Sequence, residues 1–275
     1  MLMKAAITAR DLILSYGATT AVAQSSFEIP SASLTAIIGP NGAGKSTVLG
    51  GIAGLVVPAA GTIRIHDDAR LAYVLQATKV NEVLPITVRE LVGMGRYPSL
   101  GSFQRLQAGD REIVDAAMED LDITDISSRH LHELSGGQRQ RVFLAQGIAQ
   151  EHEILLLDEP LTGLDITSAQ AIDAVIHHAT GDGCTVVLTT HDLTSARSAD
   201  HVLLMSGRVV ATGPPEEALT PDNLKAAYGP SLMHLDTTDG GMFIDDPAHI
   251  PVAGRHLHRE RTIHVEGAES DLHGG

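Results

Sequence analysis

Apolar residues fall into short continuous runs separated by stretches of helical period. The runs Leu34-Thr35-Ala36-Ile37-Ile38, Ile154-Leu155-Leu156-Leu157 and 185–190 carry no polar alternation and read as strands buried on both faces. Residues 6–14 and 21–29 read as two or three short strands joined through Ser15-Tyr16-Gly17-Ala18. Strands are also expected at 62–66 and 71–76, with Asp67-Asp68 as the turn between them, and a last hairpin at 202–205 and 209–211 about Gly207.

Helices are expected between these runs. One covers 47–54. A second starts at Thr87, whose spacing to Glu90 makes a capping box. A third starts at Asp110, with Ile113, Val114, Ala117 and Leu121 as its apolar face. A fourth opens at Ser135, boxed by Gln138, and runs to about Gln150; a fifth starts at Thr167-x-x-Gln170; a short one follows Thr220-Pro221. Strand–helix alternation implies an α/β fold with a mainly parallel sheet. The block 77–133 reads as a helical insertion in that alternation.

Composition narrows the function. At 43% hydrophobic, the 275 residues supply ample core for one or two domains; with 3% aromatics and no Trp the core is aliphatic. A net charge of −15 argues against a nucleic-acid partner. One cysteine, Cys184, excludes an internal disulfide and fits a reducing compartment. The start lacks a signal-peptide layout, and no apolar run approaches the ~20 residues of a membrane span, so a soluble cytoplasmic chain is expected. Residues 236–275 hold eight acids against three arginines, and five of the fourteen histidines. They read as a flexible acidic tail in which His256, His258 and His264 are candidate weak Zn²⁺ ligands; a plain solvated tail is the competing reading.

The chemistry centres on Gly39-Pro40-Asn41-Gly42-Ala43-Gly44-Lys45-Ser46-Thr47, a G-x-x-x-x-G-K-[ST] loop between a buried strand and a helix. Such a loop turns backbone N–H groups and a helix start onto a phosphate chain. Lys45 suits the β- and γ-phosphates, and Ser46 suits Mg²⁺. Asp158 and Glu159 end the 154–157 run, where ligands bind in open α/β sheets. Asp158 is a candidate Mg²⁺ ligand and Glu159 a candidate to polarise the attacking water. Leu134-Ser135-Gly136-Gly137-Gln138 opens a second helix N-terminus suited to an anion, and a single chain needs only one.

With these motifs the chain resembles the ATP-binding cassette (ABC) ATPases over about residues 5–230. The ordered matches are Tyr16, the loop 39–47, Gln76, Leu134–Gln138, 154–159, Thr162-Gly163-Leu164-Asp165 and His191. The resemblance implies a P-loop NTPase cassette over 1–235, with an N-terminal antiparallel β-subdomain and a helical subdomain at about 77–150. It implies that Tyr16 stacks on adenine. It implies that Gln76 touches the metal's water shell and that His191 contacts the γ-phosphate. Ser135, Gly136, Gly137 and Gln138 would complete the ATP site of a partner cassette in a head-to-tail homodimer, with Asp165 at the seam. ATP and Mg²⁺ are the implied cofactors. Thr162-Gly163 departs from the commoner small pair before Leu164-Asp165.

Residues 71–101, 158–165 and 219–229 are further similar to the manganese, zinc and iron uptake ATPases. Met94-Gly95-Arg96-Tyr97-Pro98 is also similar to the iron–siderophore and cobalamin importers. Either resemblance implies separate membrane permease subunits, an extracytoplasmic solute-binding protein and a place at the cytoplasmic face of a bacterial-type membrane. A soluble non-transport ABC ATPase is the alternative of another class. It would ordinarily carry two cassettes or a long coiled-coil insertion, and neither is evident.

Overall fold

The computed structural model describes residues 4–74, 85–100 and 105–229. A six-stranded sheet has the order β5(Leu71–Val74), β6(Ile154–Leu157), β7(Thr185–Thr190), β3(Leu34–Ile38), β8(His201–Met205), β9(Val209–Gly213). All neighbours pair parallel except β8 and β9. A three-stranded antiparallel sheet has the order β2(Thr19–Pro30), β1(Ala5–Tyr16), β4(Ala60–Ile65).

The continuous apolar runs have a physical cause in the two cores. Ile37, Leu156, Val187, Leu203 and Met205 face one cluster, shared with β1, β2 and α1(Lys45–Ile52). Their strand neighbours Ala36, Ile38, Leu155, Leu157, Val186, Leu188, Val202 and Leu204 face the other. That second core is filled by α2(Val88–Met94), α3(Ala108–Asp120), α4(Gly136–Ile148), α5(Ile166–Gly181), α6(Leu193–Arg197), α7(Pro215–Ala218) and α8(Pro221–Tyr228). Alternation of period two persists, but both faces are covered, so no position needs to be polar.

Several expectations shift. Residues 5–30 form one long hairpin of two twelve-residue strands. The strands expected at 62–66 and 71–76 join different sheets: β4 pairs β1, and β5 pairs β6. Asp67 and Asp68 do turn the chain between them, with φ of 60° and 51°. Val114, Ala117 and Leu121 are buried as expected, but Ile113 is 37% exposed and Met118 is buried in addition. Helix α5 starts from Asp165 as N-cap, its carboxylate accepting from Ser168 N at 2.9 Å, so Thr167 lies already inside the first turn.

Helices α2, α3 and α4, which follow β5 and precede β6 along the chain, pack on one another. Thr87 caps α2 as expected, accepting from Glu90 N while Glu90 Oε2 accepts from Thr87 N at 2.8 Å. Beside this cap, Val88 N donates to Arg129 O and Leu131 N to Ile86 O, tying the start of α2 to the segment that leads into α4. The buried Arg96 guanidinium knits the block to the sheet. It donates to Asp110 Oδ1 (3.1 Å), Ala149 O (2.9 Å) and Glu151 Oε1 (3.2 Å). Glu151 in turn accepts from Arg70, which precedes β5. Gln76 and the tail 236–275, with His256, His258 and His264, lie outside the described residues.

Candidate functional site: a phosphate loop with paired acids

Sheet order alone brings the chemistry together. The parallel strands β6, β7 and β3 are neighbours, and their C-terminal ends lead into Asp158-Glu159, His191 and Gly39 respectively. This is the edge where ligands bind in such sheets.

The loop 39–47 is clasped from two sides. A Cβ on Gly39 would fall 2.1 Å from Met205 O, so no other residue fits there. Gly44 has a φ of +92°, and a Cβ there would meet Ala21 O at 2.8 Å. Gly207 N donates to Ala43 O at 3.1 Å, and Ala23 N to Gly207 O at 2.7 Å. The loop is thus wedged between the β8–β9 turn and strand β2. Helix α1 begins at Lys45, two residues earlier than expected, and Gly44 gives its first turn no side-chain cap. Its leading N–H groups therefore remain available to an anion.

Lys45 is 6% exposed and folds back across the loop, its Nζ donating to Gly39 O (2.8 Å) and Pro40 O (3.2 Å). Burial lowers its pKa, and the nearby charges of Glu159 and Asp158 oppose that shift. Ser46 Oγ donates to Asp158 Oδ1 at 2.8 Å, across 112 residues of chain. A hydroxyl and a carboxylate in contact are hard oxygen donors, the type that a small divalent cation such as Mg²⁺ takes.

Asp158 is 1% exposed. Its Oδ1 also accepts from Thr189 Oγ1 at 2.9 Å, and Thr189 Oγ1 accepts from Glu159 N at 2.8 Å. Glu159 has a φ of +50°, a left-handed conformation that costs a non-glycine residue about 1–2 kcal/mol. Tyr73 on β5 lies close by. Burial first, then the charges of Asp158 and Tyr16, push its hydroxyl up to about 12. Tyr16 itself ends β1 and is 58% exposed, open to stacking. His191 is exposed just past β7; the cap of α6 is Asp192, which accepts from Thr194 N and Ser195 N.

Ser135 caps α4, accepting from Gln138 N at 3.2 Å, while Gln138 Oε1 accepts from Ser135 N at 3.0 Å. Ser135 and Gly136 are exposed and Gly137 is buried. Thr189 and Ser168 are the residues that sequence reasoning missed. The available signal for Thr189 was a hydroxyl residue at the C-terminal end of a buried strand, directly after the apolar run Val186-Val187-Leu188.

The family model described as ABC transporter matches residues 22–162. The chain belongs to the ABC transporter family. It is an ATPase cassette of that family, and it resembles named members along most of its length. The manganese transport system ATP-binding protein MntB of Listeria monocytogenes is 37% identical over 227 residues, covering 80% of this chain and 95% of that protein. The chelated iron transport system membrane protein YfeB of Yersinia pestis is 35% identical over 243 residues, 85% of this chain and 82% of that protein. Among solved structures, a metal-chelate type ABC transporter in an inward-facing conformation is 29% identical with a TM-score of 0.74, covering 82% of this chain and 89% of that one. Among the described residues of this ABC ATPase, no helix is long and apolar enough to cross a membrane.

Proposed function

We propose that this ATPase powers uptake of a divalent metal ion (manganese, zinc or iron) through separate permease subunits at the cytoplasmic face of a bacterial-type membrane. The cassette spans residues 1–235, with a helical subdomain at about 77–150. The metal reading is carried by the manganese and iron transport names of relatives 35–37% identical over at least 80% of the chain. The metal-chelate transporter of similar fold favours a second reading, an importer of chelated metal.

In the ATP site, Lys45 and the loop amides hold the β- and γ-phosphates, and Tyr16 stacks on adenine. Ser46 and Asp158 hold Mg²⁺, which when bound neutralises phosphate charge. Glu159 polarises the attacking water and His191 steadies it against the γ-phosphate. The single observation behind this reading is the Ser46–Asp158 contact at 2.8 Å, which joins the phosphate loop to the acid pair.

A second cassette completes the site. The exposed start of α4 at Ser135 and Gly136 is an anion-ready helix N-terminus. Beside it, Ile166 is 77% exposed, an apolar side chain suited to burial at a seam that includes Asp165. The permease docks at a groove on α2 lined by Ile86, Leu91, Met94, Tyr97 and Leu106, where Met94 and Tyr97 are 45% and 56% exposed. An extracytoplasmic binding protein delivers the cargo.

The test is Glu159→Gln. The variant is expected to bind ATP, accumulate as a dimer by light scattering and nearly stop hydrolysing. Undiminished turnover would remove the role of Glu159. Metal uptake by vesicles carrying the cassette with its permease tests the cargo, with Mn²⁺, Zn²⁺, Fe²⁺ and a ferric chelate as the arms.

A further inference from the structure

We propose that Thr189 is a positioning residue for ATP hydrolysis, a single buried hydroxyl that sets both acids at once. The proposal rests on the reading above, in which Asp158 serves the metal and Glu159 the water.

Thr189 is the penultimate residue of β7 and is 1% exposed. Its hydroxyl uses both of its hydrogen-bonding capacities within the site. As donor it meets Asp158 Oδ1 at 2.9 Å; as acceptor it takes Glu159 N at 2.8 Å. Ser46 Oγ donates to the same carboxylate oxygen at 2.8 Å. Asp158 is thereby held between a hydroxyl of the phosphate loop and a hydroxyl of the strand that leads to His191.

The second bond matters because of the backbone that it holds. Glu159 sits at a φ of +50°, where a side chain is strained. The bond from its N–H to Thr189 stabilises that conformation, and the conformation determines where the Glu159 carboxylate starts. Threonine also suits the position sterically, since its branched Cβ matches a strand buried among Val186, Val187 and Leu188. Valine would fill the same space without the hydroxyl. It would leave the Asp158 oxygen one donor short and withdraw the Thr189 oxygen from the Glu159 N–H.

Thr189→Val and Thr189→Ser separate this role from simple packing. The valine variant is expected to bind ATP within about 2-fold of the parent, because the loop is untouched. Its kcat is expected to fall by about 10- to 100-fold, the usual consequence of a reacting group displaced by a fraction of an ångström to an ångström. The serine variant, which keeps the hydroxyl, is expected to recover most of the kcat. Should the valine variant fold poorly, Thr189→Ala supplies a second hydroxyl-free protein, with kcat referred to the ATP-binding fraction. A hydroxyl-free variant with parental kcat, or a serine variant as slow as valine, overturns the proposal. Failure of the underlying reading looks different: there Glu159→Gln itself keeps turning over. In the Thr189→Val/Glu159→Gln double variant, the further loss of kcat is expected to be smaller than the loss caused by Thr189→Val alone, and full additivity of the two losses would refute action through Glu159.

Discussion

Asp165 and Gly137 are packed face to face: a methyl group on Gly137 would lie 2.9 Å from Asp165 Oδ2 and 2.7 Å from Ser168 Oγ. Asp165 Oδ1 meanwhile caps α5 through Ser168 N. The N-terminus of α4 and that of α5 are therefore set against each other within one chain, and a side chain at 137 would have to displace the side chains of Asp165 and Ser168. Gly137→Ala should cost about 1–3 kcal/mol through overpacking and weaken ATP-dependent dimerisation. Gly136→Ala is the control, since nothing lies within 4 Å of its added methyl. Thermal melting should separate the two, with only the Gly137 variant melting clearly lower.

Arg96 offers a test of how the helical block is attached. Its side chain is 5% exposed and bonds to Asp110, Ala149 O and Glu151 at once. Arg96→Met leaves the buried Ala149 carbonyl without its donor and the Asp110 and Glu151 carboxylates without their cation, and should destabilise the protein by about 1–3 kcal/mol in urea unfolding. Arg96→Lys should recover only part, because an ammonium cannot reproduce the planar fork.

Two histidines predict a pH dependence. Burial lowers the pKa of His152 and of His201 below the ordinary 6.5. The unfolded chain then takes up protons that the folded chain does not, so stability falls as pH drops through the unfolded value. Melting temperature should decline between about pH 7 and 5.5, above the range in which carboxylates titrate, and His152→Gln should flatten that decline. A variant with the parental slope would assign the effect elsewhere.

Cys184 should be a slow thiol. Burial pushes it up to about 11 from 9.0, in a site where its Sγ faces Thr185 O at 3.7 Å. At pH 8 the thiolate fraction is then about 100-fold below that of an ordinary thiol, and alkylation by iodoacetamide should slow in proportion.

Much of the site was legible in the chain because its signals are local. The loop 39–47 and the capping boxes at Thr87 and Ser135 depend on residues within a few positions of one another. The destinations of strands were less legible. Residues 62–66 alternate polar and apolar while Leu71-Ala72-Tyr73-Val74 runs apolar, in keeping with β4 lying largely exposed beside β1 and β5 entering the central sheet. Which partner each strand takes is not local, because β1 and β6 contribute those partners from distant parts of the chain. The cap of α5 was misplaced for another reason: Thr167 and Gln170 match a capping box, but Asp165, two residues earlier, accepts the N–H of Ser168. Thr189 escaped notice because its partners are thirty or more residues away.

The wedge of Met205 and Gly207 against the nucleotide cradle has an architectural corollary. Every phosphate-gripping residue proposed here precedes position 192, yet the cradle's wall is built after position 200. A polypeptide shortened at 200 would keep each recognisable nucleotide motif and still lose the surface on which residues 39–44 are moulded. Its affinity for ATP should collapse, although no residue named as a nucleotide contact had been removed.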